Sequence, residues 1–343
     1  MCHFAKKLIY IKGVKLLKKT NELQIPEVVL EVRKNRSKQL RRKMKEYWPI
    51  YVMIIPVVIF YLVFNYYPMY GLIISLKDYS PRLGILGSEW ASPSLFNHYE
   101  LAFNTPFFLR SMRNTVVLSL LKICFMFPMP IIVALLLNEV KSPGYKKGIQ
   151  TIVYLPNFIT WVIYGSIVQD VFGFDGYINN IAAMLGMERT AYMANADIYY
   201  PIIIFFSNLK NTGWNTIIYM AAISAVSPTL YEAGTIDGCG RFRLMWNVTL
   251  PCIGPVVILQ FLLAIGNIMN AGFDEVFNTY NKTIYERADI MDTYIHRLTF
   301  EDAKTEQSVA TGLFKSIINF VLLMSANVAV KKINGTGIYD LND

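Results

Sequence analysis

Four long stretches of this chain carry no Asp, Glu, Lys or Arg: residues 47–76, 148–169, 211–231 and 244–273. A helix needs about 20 mostly apolar residues to cross a bilayer core. A soluble helix that long would show a polar face, and these segments scarcely do. Several uncharged runs of this length exclude one large soluble core. Charge is also scarce overall, at 17% of residues, against roughly 25% in a typical soluble domain. The expected fold class is all-α, a polytopic membrane protein with six transmembrane helices.

The six spans are predicted at about 49–76, 114–138, 150–172, 200–226, 251–272 and 310–330. The first is longer than a crossing requires, so a tilt or a bend near Pro56 or Pro68 is expected. This divides the chain into a basic tail (1–48), a six-span domain (49–331) with a loop at 227–250, and a C-terminal tail (332–343). Lys and Arg set the orientation. The tails and the loops 139–149 and 227–250 hold 21 of them, and the connections on the other side hold 8. The richer side is expected to face the cytoplasm, with both termini inside.

The net charge of +9 raises the question of nucleic acid, but residues 1–48 alone hold 14 Lys/Arg and 4 acidic residues. That distribution fits an anchor against anionic membrane lipid, and no nucleic-acid partner is expected. The tail reads either as an amphipathic surface helix or as a disordered basic segment. Cys2, Cys124, Cys239 and Cys252 show no metal-ligand spacing, and the three histidines are scattered. Neither a metal site nor a catalytic set is expected.

The loop between spans four and five carries the most informative pattern. Thr229 with Glu232 three residues on fits a capping box after Pro228. Leu230, Ala233 and Ile236 fall on one side at helical spacing. Gly238 suits a left-handed stop. A second short helix is expected over 241–247, and Leu250-Pro251 then opens the fifth span. Helix, glycine elbow and helix should lie at the inner membrane face.

This loop resembles the cytoplasmic motif of binding-protein-dependent importer permeases: Glu-Ala-Ala, three residues, Gly, nine residues, Ile, any residue, Leu-Pro. Here it reads Glu232-Ala233-Gly234, then Gly238, then Val248, Thr249, Leu250-Pro251. Gly234 replaces the second Ala and Val248 replaces Ile. Asp237 and Pro255 match positions common in the sugar-importing branch. Arg113-Asn114-Thr115, Tyr154–Trp161 and Gly213-Trp214 look like the permeases for polysaccharide or complex oligosaccharide uptake. The resemblance covers roughly residues 45–335. It implies a type I importer (MetI-like) core in a bacterial cytoplasmic membrane. Tyr231, Glu232, Ala233, Gly234, Asp237, Gly238, Leu250 and Pro251 would take the ATPase contact. It also implies a second homologous permease, two ATPase subunits that bind ATP and Mg, an extracytoplasmic solute-binding protein and a saccharide substrate. No cofactor is expected on this chain.

Polar residues inside spans need a reason, because an unpaired polar group is costly in hydrocarbon. Asn208, Asn211 and Asn215 share one face of the fourth span, with Lys210, Trp214 and Tyr219 nearby. Amides pair with hydroxyls and aromatic rings stack on sugar faces, so this face is a candidate substrate path; helix packing is the alternative. Lys122 and Lys210 lie at similar depth and are candidates to face one cavity. Asn157 and Trp161 are either substrate contacts or packing elements.

The chain lacks the Gly-x-x-x-x-Gly-Lys-[Ser/Thr] loop of an ATPase, and Gly144-Tyr-Lys-Lys-Gly148 has the wrong spacing. The alternative is a self-sufficient transporter or channel driven by an ion gradient. It would need buried carboxylates, and Asp170 is the one acid that falls in a predicted span.

Overall fold

The computed structural model describes residues 46–334, so the predictions for the two tails lie almost wholly outside it. Its first unit, up to Tyr70, holds helix α1 (Trp48–Tyr61), which runs through Pro56. The helix widens into a π turn at Leu62–Tyr66 and resumes at Tyr67–Met69. Pro68 has no N–H to donate, and its ring crowds the carbonyl four residues back; the wider turn relieves that clash. The bend expected at a proline thus takes the form of a π turn just before Pro68.

The second unit runs from Gly71. Two short strands, β1 (Lys77–Asp78) and β2 (Glu89–Trp90), pair antiparallel. Then follow α2 (Pro106–Met126), α3 (Pro128–Asn138), α4 (Pro143–Tyr154), α5 (Trp161–Phe172) and α6 (Tyr177–Met184). Helix α7 spans Ala196–Ser224 and α8 spans Pro228–Ile236. The described residues end in α9 (Leu250–Gly266), α10 (Phe273–Phe277), α11 (Met291–Phe300) and α12 (Thr305–Asn334).

Among the described residues, four helices are long and apolar enough to cross a membrane: Trp48–Leu76, Pro106–Asn138, Arg241–Gly266 and Thr305–Lys332. The third predicted span is instead a broken pair, Pro143–Phe158 and Trp161–Met184, bent by 99°. Pro156 interrupts the amide ladder, and Thr160 starts a new helix by accepting a hydrogen bond from Ile163 N at 3.5 Å. The fourth predicted span is α7. Its 29 residues reach about 43 Å at 1.5 Å per residue. Its Asn and Lys content keeps it less apolar than the others.

Helix α7 is the axle of this unit. Near its Ala196 end, Tyr199 and Ile203 pack with Leu118 of α2 and with Ala271, Val276 and Ile290. Near its Ser224 end, Tyr219 and Ile223 pack with Ala134 of α3 and Ile253 of α9. Span two starts eight residues before the predicted Asn114, because Thr105 caps α2 and Pro106 fits its first turn. The Arg113-Asn114-Thr115 motif pins the 285–291 segment to α2. Asn114 donates to the carbonyls of Glu286 (3.0 Å) and Asp289 (3.1 Å), and Thr115 accepts from Met291 N at 2.8 Å. Asp289, fully buried, is gripped by Arg297 at 2.6 Å. Burial draws the Arg297 guanidinium down, but the hydrogen bonds and charge of Asp289 outweigh it and hold its pKa above the ordinary value.

Candidate functional site

At the Ser224 end of α7 the chain turns into the helix–elbow–helix. Helix α8 begins two residues earlier than a Thr229 cap would have it. Ser227 takes the cap position and Pro228 the first turn, and Thr229 bonds the Ser227 hydroxyl at 2.8 Å. The capping box with Glu232 therefore does not form: proline already fills a position that needs no N–H. The stop is as the glycine predicts. Gly238 has φ +77°. Cys239 N donates to Gly234 O at 2.9 Å and Gly238 N to Thr235 O at 3.1 Å. These two bonds are the Schellman pattern that closes a helix with a left-handed residue.

Gly234 has a packing reason. A Cβ there would lie 2.6 Å from Leu244 Cδ2 in the return segment Arg241–Leu244. The glycine costs α8 some helix propensity and brings the two arms together. Tyr231 ties α8 to span five through Thr249, 3.0 Å between hydroxyls. Glu232, Ala233, Asp237 and Gly238 all face outward. So do Leu230, Ile236, Phe242 and Trp246, the last three more than two-thirds exposed. The expected break at Leu250-Pro251 is absent. A π turn at Met245–Thr249 absorbs the missing Pro251 N–H, and the helix from Arg241 continues to Gly266.

The second candidate site is a cavity of about 400 Å³ midway along α7. Asn215 and Tyr219 of α7 line it, with Ser119 and Lys122 of α2 and Gln260 of α9. Asn267 and Asn270 close its edge. Lys122 bonds Glu275 of α10 and the Ala271 carbonyl. Ser207 donates to the same carboxylate at 2.5 Å. Glu275 is buried, 5% exposed, although it follows the span in sequence. Asp170 remains the one acid within a predicted span, but α10, just past span five, folds back and buries a further carboxylate, paired with lysine. Among the residues lining the cavity Lys122 alone is charged, and Glu275 balances it.

Lys210 does not join Lys122. It donates to the carbonyls of Pro156 and Asn157, both at 3.1 Å, and of Ile159. It lies 5.4 Å from the Trp161 ring and 5.6 Å from that of Tyr164. Lys210 thus caps the orphan carbonyls left by the break in the third span. Lys210→Met should lower the stability of the assembled protein by about 1–3 kcal/mol, the cost of stranding such groups, measured as loss of thermal stability. Asn208 donates to Phe125 O at 3.3 Å and accepts from Thr212 at 2.5 Å. Trp214 meets Phe158 edge-on at 6.2 Å. Asn157, Trp161, Asn208, Lys210, Asn211 and Trp214 are not among the cavity's lining residues; Lys122, Asn215 and Tyr219 are. Gln260 and Asn267, seven residues apart on one face of span five, were the readable signal for its other wall.

The profile of the family described as "binding-protein-dependent transport system inner membrane component" matches residues 101–273, half of the chain. The chain belongs to this family. The permease is similar to the polygalacturonan/rhamnogalacturonan transport system permease protein YteP of Bacillus subtilis, with 40% identity over 94% of this chain and all of that one. It is also similar to Protein LplB of the same organism, 40% identical over 84% of this chain and 91% of that one. Among solved structures it is similar to a bacterial ABC transporter involved in import of the acidic polysaccharide alginate. That match has a TM-score of 0.78 and 35% identity, over 86% of this chain and 99% of that one. A second structure of an alginate transporter, in complex with a periplasmic protein bound to alginate pentasaccharide, matches at TM-score 0.78 and 36% identity, over 88% and 100% of the chains.

Proposed function

We propose that this permease carries an oligo- or polysaccharide across a bacterial cytoplasmic membrane, with force delivered at α8 by a separate ATPase. The observation that carries the reading is the exposed helix–elbow–helix of 228–251. It leaves Glu232, Ala233, Asp237 and Gly238 free at one end of the bundle while Tyr231 and Gly234 hold its arms together. The cavity midway along α7 supplies a polar path lined by amides, which pair with sugar hydroxyls. The saccharide itself is read from relatives that import polygalacturonan and alginate.

A second, homologous permease completes the cavity, and two ATPase subunits sit beneath the pair with their own ATP and Mg. A solute-binding protein delivers the saccharide from outside. The 21-to-8 division of Lys and Arg supports both termini inside. ATP binding closes the ATPase pair, carries the α8 hairpin inward and rocks the spans between inward-open and outward-open states. In proteoliposomes holding the full complex, binding protein loaded with an acidic oligosaccharide should stimulate ATP hydrolysis and uptake together. Hydrolysis stimulated equally by empty binding protein, with no uptake, would refute the reading.

A further inference from the structure

The Ala196 end of α7, opposite the α8 hairpin, carries a second cavity of about 430 Å³. It is built where the starts of α2 and α12 meet the 282–302 segment. Its volume is that of a small-ligand pocket. Tyr294 forms part of its floor, held to Thr105 by a 3.1 Å hydroxyl pair. Tyr285 forms another part, with the Arg297 guanidinium 4.9 Å from its ring. Arg297, held by Asp289, also lies 5.6 Å from the Tyr294 ring.

The walls are cationic. Arg110 reaches Asp289 through one amine only, at 3.4 Å, and its buried Nε–H has no partner among the described residues. Its guanidinium packs 5.1 Å from the Phe107 ring. Lys282 and Lys304 are exposed on the rim and form no ion pair among the described residues. Glu301, Asp302 and Gln307 complete the rim with hydrogen-bonding groups. Arg297 is spent on Asp289, so three cations remain to receive an anion against two rim acids.

We infer that this outer pocket is a holding site for an acidic sugar unit, gripping a uronate carboxylate with Arg110, Lys282 and Lys304 beside the Phe107 and Tyr285 rings. The inference rests on the saccharide reading above. Guanidinium and ammonium bonds to carboxylate are the strong, charge-assisted kind. Aromatic rings take the apolar face of a pyranose, and the rim amide and acids take its hydroxyls. The pocket lies where an incoming chain would meet the permease before it reaches the neutral cavity along α7. Selection by charge then belongs to the outer pocket, not to the membrane path.

Binding is measured on the assembled importer without its binding protein, with trigalacturonate and a neutral galactotriose as probes, and import is measured with the binding protein restored. Trigalacturonate should bind at least about ten-fold tighter than the neutral sugar, and Lys282→Gln with Lys304→Gln should remove that preference. Basal ATP hydrolysis should stay unchanged. Arg110→Gln should act in the same direction, with thermal stability measured beside it; the rim pair keeps the test decisive if that variant is unstable. Equal binding of trigalacturonate by parent and rim variant, in a complex that still imports, overturns this inference alone. So does a rim variant that loses docking of the binding protein yet binds trigalacturonate as the parent does, because the pocket then receives a protein carboxylate. A complex that imports neither sugar overturns the saccharide reading itself.

Discussion

A complex carrying Glu232→Arg and Gly238→Pro should assemble and yet lose ATP hydrolysis stimulated by loaded binding protein by about 100-fold or more, in line with loss of two interface anchors. The Glu232 side chain is exposed on α8 and forms no hydrogen bond or ion pair among the described residues, so reversing its charge acts on the partner. Gly238 sits at φ +77°. Proline fixes φ near −65°, so the Schellman closure cannot form and the elbow changes direction. Uptake should fall with hydrolysis, since the same rigid segment links them. Co-purification of all subunits separates loss of coupling from loss of assembly. A doubly substituted complex with parental hydrolysis and uptake would remove α8 from the mechanism.

The second large effect concerns the Lys122–Glu275 pair. Glu275→Gln leaves the Lys122 ammonium buried beside an amide and the Ala271 carbonyl. Breaking one side of a buried ion pair costs about 3–5 kcal/mol, whereas replacing both partners is often near neutral. Glu275→Gln should therefore lower thermal stability sharply, and Lys122→Met added to it should restore most of the loss. Ser207 donates to the same carboxylate, so Ser207→Ala should give a smaller decrease in the same direction. If Glu275→Gln is as stable as the parent, the pair does not hold α10 in place. The pair also bears on ion coupling. A carboxylate matched by a lysine and a serine is positioned as a clamp, with no unpaired acid presented to the cavity.

Local signals carried much of this architecture. The predicted spans fall on the long helices, two of which start eight and ten residues earlier than expected, at Pro106 and Arg241, and the spacing from Glu232 to Pro251 located the hairpin. Gly238 announced its own left-handed turn, because glycine takes that conformation with no Cβ clash. What failed was what depends on distant partners. The third span reads as one apolar run, and its break at Ile159-Thr160 becomes affordable only because Lys210, some fifty residues later, caps the freed carbonyls. Without that partner in view, Lys210 resembled a charge facing a channel. Glu275 lies just past an uncharged run and reads as loop; only the return of α10 against α2 shows its burial. Pro228 fills the helix entry as expected but with Ser227, not Thr229, as the cap, and a π turn carries the helix through Leu250-Pro251.

The most direct measurement of the account is site-specific crosslinking from Ile236, 86% exposed at the end of α8, in the assembled complex. Ile236→Cys, with the native cysteines replaced and a short bifunctional reagent, should capture the ATPase subunit. Met184→Cys, equally exposed on α6, should not. Capture of the ATPase at Met184, or none at Ile236 in a complex that still transports, would contradict the claim that force enters this chain at Tyr231–Pro251.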